Sequence, residues 1–302
     1  MIKKIVRIFF SILLLLWLLF VLVFKDDVKN CIFEVIDLWF TKVVISILPV
    51  YIVTSLIVGF PLLSTFFFKM VKRFNLFENK HAFSLFLISM ICGNPTSSIL
   101  IGNSFQKQTI SYPQAKLLYG NCSFISFLFI MNVVDSPLSY IIILSQILTT
   151  IFIYIFNAKK TPLSFSETNP DKNESVSDLV MQIIDTAPSV LLKILSAMLF
   201  VNLFKLPFLY VSNHPVIEYF LNLLEISTGL YCVNQMLVSG FFKLILLNTL
   251  VSFNGVAIQL QVFNVLKKAK LTMAPYIKGR IANLVISTII SFGLFLLTKL
   301  FF

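Results

Sequence analysis

Residues 89–103 read SMICGNPTSSILIGN: Gly93, Asn94 and Pro95, then the hydroxyl side chains of Thr96, Ser97 and Ser98, inside an otherwise apolar run. Pro95 has no amide hydrogen and Gly93 leaves the backbone unrestrained, so a helix must loosen here. The released backbone groups are costly if they face hydrocarbon, and such a break belongs against protein or water. Two readings stand at this point. One is a proline kink repaired by the hydroxyls; the other is a mid-membrane discontinuity of the kind from which carriers build a substrate site.

The hydrocarbon setting follows from composition. The 302 residues are 58% hydrophobic and 12% charged, with 33 phenylalanines, against about 25% charged in soluble domains. Apolar runs of about 20 residues, enough to cross about 30 Å, recur at 8–24, 43–60, 83–105, 117–134, 138–156, 187–204, 216–238, 241–264 and 281–298. The chain reads as an all-α polytopic membrane protein, with the lipid bilayer as its surroundings and no space for a soluble catalytic domain. Phe9 to Phe24 follows Lys3, Lys4 and Arg7 but lacks a small-residue cleavage site before Lys25, so it reads as a retained anchor. Residues 1–30 are taken as that anchor and the polar stretch 157–186 as a solvated linker. The two halves are then 31–156 and 187–302.

Several functions are excluded. Cys31, Cys92, Cys122 and Cys232 are too widely spaced for a metal site or a disulfide framework. The net charge of +11 lies in loops between apolar segments, the pattern of the positive-inside rule and not of a nucleic-acid partner. No HExxH or phosphate-loop motif occurs, and His81 and His214 sit apart at segment ends, read as solvated loop residues. No catalytic residue, metal or cofactor is expected. The sequence leaves self-association into a homo-oligomer open.

Basic loops also bear on topology. Lys3, Lys4 and Arg7 put the N-terminus inside, and Lys69, Lys72 and Arg73 return there after two crossings. If 83–105 were a simple crossing, Lys107, Lys116, Lys159, Lys160 and Lys172 would all fall outside. A re-entrant hairpin with no net crossing keeps them inside. In the second half the basic run Lys267 to Arg280 stays inside if 216–238 spans and 241–264 does not, whereas an inverted repeat is expected to place it outside.

A second polar break lies in residues 250–287, LVSFNGVAIQLQVFNVLKKAKLTMAPYIKGRIANLVIS, at Asn254 and Gly255, followed by the amides Gln259 and Gln261. Gly93 precedes Ser111 by 18 residues and Gly255 precedes Thr272 by 17. Paired breaks in two halves are a pointer to a transporter site. A third break, NLLEISTGLYCVNQ at 222–235, has no counterpart in this reading of the first half. Glu225 there is either a cavity residue or part of a helix lying in the membrane interface with Glu218 toward water.

GNPTSS at 93–98, AKLLYGNCSF at 115–124, LLEISTGL at 223–230, FNGVAIQLQVFNVL at 253–266 and MAPYIKGRI at 273–281 together resemble the landmarks of the YlbJ/SpoVV sporulation membrane proteins. That family is related to nucleoside-recognition or Gate domains and to concentrative nucleoside transporters. The resemblance covers roughly residues 40–298. It implies two Gate-like repeats with discontinuous or re-entrant helices, and transport of a small aromatic dicarboxylate, dipicolinic acid, across the outer forespore membrane. The family's Gly-x-Pro break falls on Gly93 and Pro95, and its Phe-Gly-Gly segment on Phe253 to Gly255. The chain departs from the family at Asn94, where an aromatic is frequent, at Asn121 to Phe124, where Asn-Thr-Ser-Asn-Pro is frequent, and at Asn254, where glycine is expected. The expected ligand-binding residues are Gly93, Asn94, Pro95, Thr96, Ser97, Ser98, Asn121, Ser123, Glu225, Ser227, Thr228, Asn254, Gly255 and Gln259. Their amides, hydroxyls and exposed helix ends suit a carboxylate.

Overall fold

A computed structural model describes residues 2–59, 68–69, 74, 76–122, 125–161, 176–211 and 214–301. Every extended element among them is helical. Five stretches are long and apolar enough to cross a membrane: Lys25–Ile57, Leu138–Ala158, Val180–Val211, Gly240–Lys268 and Ala274–Leu300. Ser123, Lys72, Arg73 and Lys172 lie outside the described residues.

The N-terminal helix α1 (Ile2–Val23) meets α2 (Lys25–Leu38) at Phe24, φ −102° and ψ 44°. Trp17 donates to the Leu203 carbonyl, the Phe24 ring lies 4.7 Å from that of Tyr210, and Trp39 donates to the Leu191 carbonyl. Contacts thus advance along the long helix α9 (Val176–Val211) and then retreat, so the chain reverses at Phe24. α2 continues through a π-helical segment, Trp39–Val44, into α3 (Ile45–Gly59). The helix therefore runs through the boundary drawn at residue 30. Asp26 and Asp27 in its first turn suit the helix dipole, and Val28, Val35 and Leu38 form a buried stripe. The linker read at 157–186 is also shorter than expected. α9 begins at Val176, because the buried stripe Ile183, Ala187, Val190, Ile194 and Met198 starts before the strongly apolar stretch does.

Two antiparallel hairpins and two interrupted helices hold the centre. The first hairpin pairs α4 (Lys80–Cys92) with α5 (Thr96–Gln106). Asn79 caps α4 by accepting from the Ala82 amide at 2.9 Å. His81, at the start of α4, lies 3.0 Å from the Ser104 hydroxyl near the end of α5. The two helices consequently run in opposite directions, with residues 93–95 at the tip. His81 is half-buried in the base of this hairpin, not a solvated loop residue. The first interrupted helix comprises α6 (Tyr112–Asn121) and α7 (Phe127–Val133), so the apolar run 117–134 is not one rod. Ser111 caps α6, and the Glu78 carboxylate accepts from the Ser111 amide and hydroxyl. Helix α8 (Leu138–Ala158) follows.

The second hairpin pairs α10 (Pro215–Asn222) with α11 (Ile226–Gln235). They pack so closely that a Cβ on Gly229 would lie 2.6 Å from the Asn222 carbonyl oxygen. The second interrupted helix comprises α12 (Gly240–Phe253) and α13 (Gly255–Lys268), followed by α14 (Ala274–Phe301). The run 216–238 is thus folded back on itself, while 240–268 is long enough to span, the reverse of the first of the two arrangements that the sequence left open for the second half.

Two large apolar cores form among the described residues, beside a small cluster of Tyr51, Ile183 and Ala187. One surrounds the first hairpin with α6 and α13; the other joins the second hairpin to α7, α9 and α12, and Ile258 packs against both. A polar seam ties α8, α12 and α14 together. The Gln146 amide donates to Asn248 at 3.1 Å and Ser252 at 2.8 Å, Asn248 donates to Ser287 at 3.1 Å, and Ser252 and Ser287 lie 2.8 Å apart. Between helices in lipid such bonds contribute about 0.6–2 kcal/mol each. Beyond the seam α14 crosses α6, where a Cβ on Gly279 would stand 1.6 Å from the Gly120 carbonyl oxygen. Only glycine permits that approach. Gly279→Ala should therefore lower the stability of the detergent-solubilised protein by about 3 kcal/mol, the upper range for overpacking. Gly293→Ala, where a Cβ meets nothing within 4 Å, should leave the melting temperature unchanged or slightly raised.

Candidate functional site

The interruptions bond to one another in pairs. At the first hairpin tip Gly93 has φ 67° and the Asn94–Pro95 peptide is cis. Gly93 pairs with Ile125, in the break between α6 and α7, as an antiparallel bridge. At the second tip the Leu223 and Leu224 carbonyls accept from the Val256 and Ala257 amides at 3.2 and 3.0 Å, just beyond the break between α12 and α13. That break is made by two left-handed residues, Asn254 at φ 68° and Gly255 at φ 65°. Asparagine is among the few side chains that enter this region readily. A Cβ on Gly255 would come within 3.1 Å of the Ile226 amide nitrogen.

These pairs correct the correspondence drawn from spacing. Gly93 sits at a hairpin tip, whereas Gly255 sits in a helix that resumes its course. Spacing to the next helix start does not distinguish a hairpin tip from a break within a helix that continues.

Residues from all four interruptions border one cavity of about 30 Å3: Asn94 and Pro95, Ile125 and Ser126, Glu225 to Ser227, and Ala257 and Ile258 with Gln261. Val43, in the π-helical segment, closes another side. The volume holds one or two waters. Three side chains on this wall keep a buried polar atom without a hydrogen-bond partner: Asn94 Nδ2, Ser126 Oγ and Gln261 Oε1. Buried polar atoms are rarely left so, and these three make the wall able to bind a polar ligand.

Glu225 is the charged member of the wall, 2% exposed. It caps α11, accepting from the Ser227 amide at 3.0 Å, the Thr228 amide at 2.7 Å and the Thr228 hydroxyl at 3.0 Å. The carboxylate thus lies on the positive end of a helix. The capping geometry replaces the interfacial-helix reading. Thr228 also accepts from the buried Lys205 ammonium at 3.1 Å, as does Asn222 at the same distance. Lysine, hydroxyl and carboxylate form a chain of donors and acceptors beside the cavity.

The structure divides the expected ligand residues. Asn94, Pro95, Glu225 and Ser227 line the cavity. Ser97 and Ser98 do not; both donate to Asn94 Oδ1 at 2.8 Å and fix its orientation. Thr96 is buried at the start of α5, and Thr228 serves the cap. Asn121 bonds the Leu117 carbonyl and Asn157, away from the cavity. Asn254 and Gly255 shape the backbone. Gln259 turns back to the Phe253 carbonyl at 2.9 Å, occupying a group the break releases, and Gln261 takes the place on the wall expected for it. Sequence reading missed Ser126, Lys205 and Arg280. Lys205 is an ionisable residue in an apolar helix, a signal available from sequence. Arg280, assigned to a basic loop, is 3% exposed within α14.

No family model, curated protein or solved structure matches this chain. The fold defines a multi-pass helical membrane protein, and the cavity is a mostly apolar pocket whose wall carries Asn94, Ser126, Glu225, Ser227 and Gln261. Replacing Glu225 with alanine should cost about 1–2 kcal/mol through loss of the cap. Glu225→Gln keeps an acceptor oxygen and should cost less, and thermal melts in detergent distinguish the two.

Proposed function

We propose that this protein is a membrane carrier of a small organic anion. Its substrate is an aromatic dicarboxylate, dipicolinic acid as the YlbJ/SpoVV resemblance implies, moved across the outer forespore membrane of a spore-forming host. The observation that carries the reading is the convergence of four helix interruptions on one cavity whose wall holds unpartnered polar atoms on Asn94, Ser126 and Gln261. Discontinuous helices at such a point are the means by which carriers bind solutes at mid-membrane. A cavity of about 30 Å3 is too small for an aromatic solute. This conformation is closed, and transport requires the hairpin tips to part.

The succession of hairpin and interrupted helix in each half supports the reading as two repeats of opposite orientation. With the N-terminus inside, crossings by α1, by α2 with α3, by α6 with α7, by α8 and by α9 bring the second hairpin to the outside. The span Gly240–Lys268 then returns the basic run from Lys267 to Arg280 inside, so the positive-inside rule and inverted repeats agree. Cysteines substituted at Lys107 and Lys268 should react only with reagent on the cytoplasmic side, and one at Leu237 only from outside. Opposite labelling at 107 and 268 removes the inverted arrangement.

Purified protein in proteoliposomes should show saturable dipicolinate uptake. Asn94→Ala and Gln261→Ala should reduce it at least fivefold with the folded fraction preserved. Uptake of uridine in place of dipicolinate transfers the reading to nucleoside-like solutes. Absence of saturable flux for either solute, with folded protein, defeats it.

A further inference from the structure

Arg280 is the least satisfied charged group among the described residues. It is 3% exposed, and its Nε and both Nη atoms lack hydrogen-bond partners. A guanidinium stays protonated in proteins, so burial does not relieve the charge by releasing a proton. Its guanidinium faces the ring of Tyr276, with Cζ 5.9 Å from the ring centre. The buried carboxylates are committed elsewhere, Glu78 to Ser111 and Glu225 to Ser227 and Thr228.

Other buried polar groups without partners lie on α14 and on α8, which packs against it. Asn283, one turn along α14 and fully buried, has neither side-chain polar atom bonded. On the packed face of α8, one turn beyond Gln146, the buried Thr149 and Thr150 hydroxyls also have no partner. Guanidinium, amide and hydroxyl donors form a set that matches the two oxygens of a carboxylate. The position adjoins the cavity. The Tyr276 hydroxyl lies 3.4 Å from Asn254 Nδ2, at the break between α12 and α13 just ahead of Ala257 and Ile258 on the cavity wall.

We propose that Arg280, with Asn283 and the α8 hydroxyls, forms a subsite for the carboxylate of a small organic anion entering from the broken-helix cavity. This deepens the carrier reading and rests on it for the ligand's route. It places the substrate's negative charge on the far side of Asn94 and Tyr276 from Glu225, so that the two like charges are kept apart. The subsite opens to ligand when the cavity widens.

The test uses the full chain in lipid nanodiscs, with equilibrium binding of radiolabelled pyridine-2,6-dicarboxylate and competition by benzoate, chloride and uridine. Wild-type protein should bind the dicarboxylate, with benzoate competing and chloride failing at tenfold higher concentration. Arg280→Gln should weaken binding at least tenfold, and Arg280→Lys should recover part of the loss. Should Arg280→Gln not fold, Asn283→Ala is read in the same assay, with at least threefold weaker binding expected. Unchanged affinity in a folded variant overturns the proposal, as does chloride competing as well as benzoate. Arg280-dependent binding in a protein that shows no flux leaves the subsite standing and removes the carrier reading. Saturable flux with affinity indifferent to Arg280 does the reverse.

Discussion

A helix interrupted inside hydrocarbon releases amide and carbonyl groups that only protein can satisfy, and this constraint organises the centre of the molecule. Gly93 meets Ile125, and Leu223 and Leu224 meet Val256 and Ala257. Gln259 takes the Phe253 carbonyl. A buried backbone group left unbonded costs about 1–3 kcal/mol, as much as an entire interhelical side-chain bond in lipid contributes. The hydrophobic effect gives no preference among helices in a solvent of hydrocarbon tails, so the matched interruptions join close packing and the polar seam in deciding which helices lie together. The cavity is what remains where two such matched pairs come face to face.

Legibility from sequence followed the same physics. The breaks at 93–95, around 225 and at 254–255 were visible because glycine, proline, asparagine and glutamate stand out in apolar runs. The break at 122–126 was not, since cysteine, serine and phenylalanine are ordinary helix residues in a membrane. Which break bonds which is a long-range fact that spacing does not carry: Gly93 stands at a hairpin tip and Gly255 in a helix that continues. Asn254 is the instructive departure. It stands where the resembling family has glycine, and the left-handed backbone there accepts asparagine as well, so that change leaves the fold intact.

Charges were harder still. Lys205 and Arg280 sit close to segment ends, where sequence reading assigns basic residues to water. In the structure both are buried, and their surroundings differ. Lys205 is held by two neutral oxygens beside a capped carboxylate, while the nitrogens of Arg280 have no hydrogen-bond partner. Among the described residues the buried charged side chains are Glu78, Glu225, Lys205 and Arg280, three bonded within the protein and one that is not. In the proposed carrier that remaining cation is the group that would select an anion, with the neutral amides of the cavity wall setting shape more than charge.

The crossing of Gly120 and Gly279 links this cation to the break that follows α6. Backbone touching backbone has no rotamers through which to yield, so α6 and α14 are geared without slack at that point. In the proposed carrier, a displacement of α14 large enough to admit a solute beside Arg280 would be felt at Gly120, at the end of α6 nearest the break that Gly93 bridges. The close approach of two glycines, which looks like simple economy of space, would then couple occupancy beside Arg280 to loosening of the first hairpin tip.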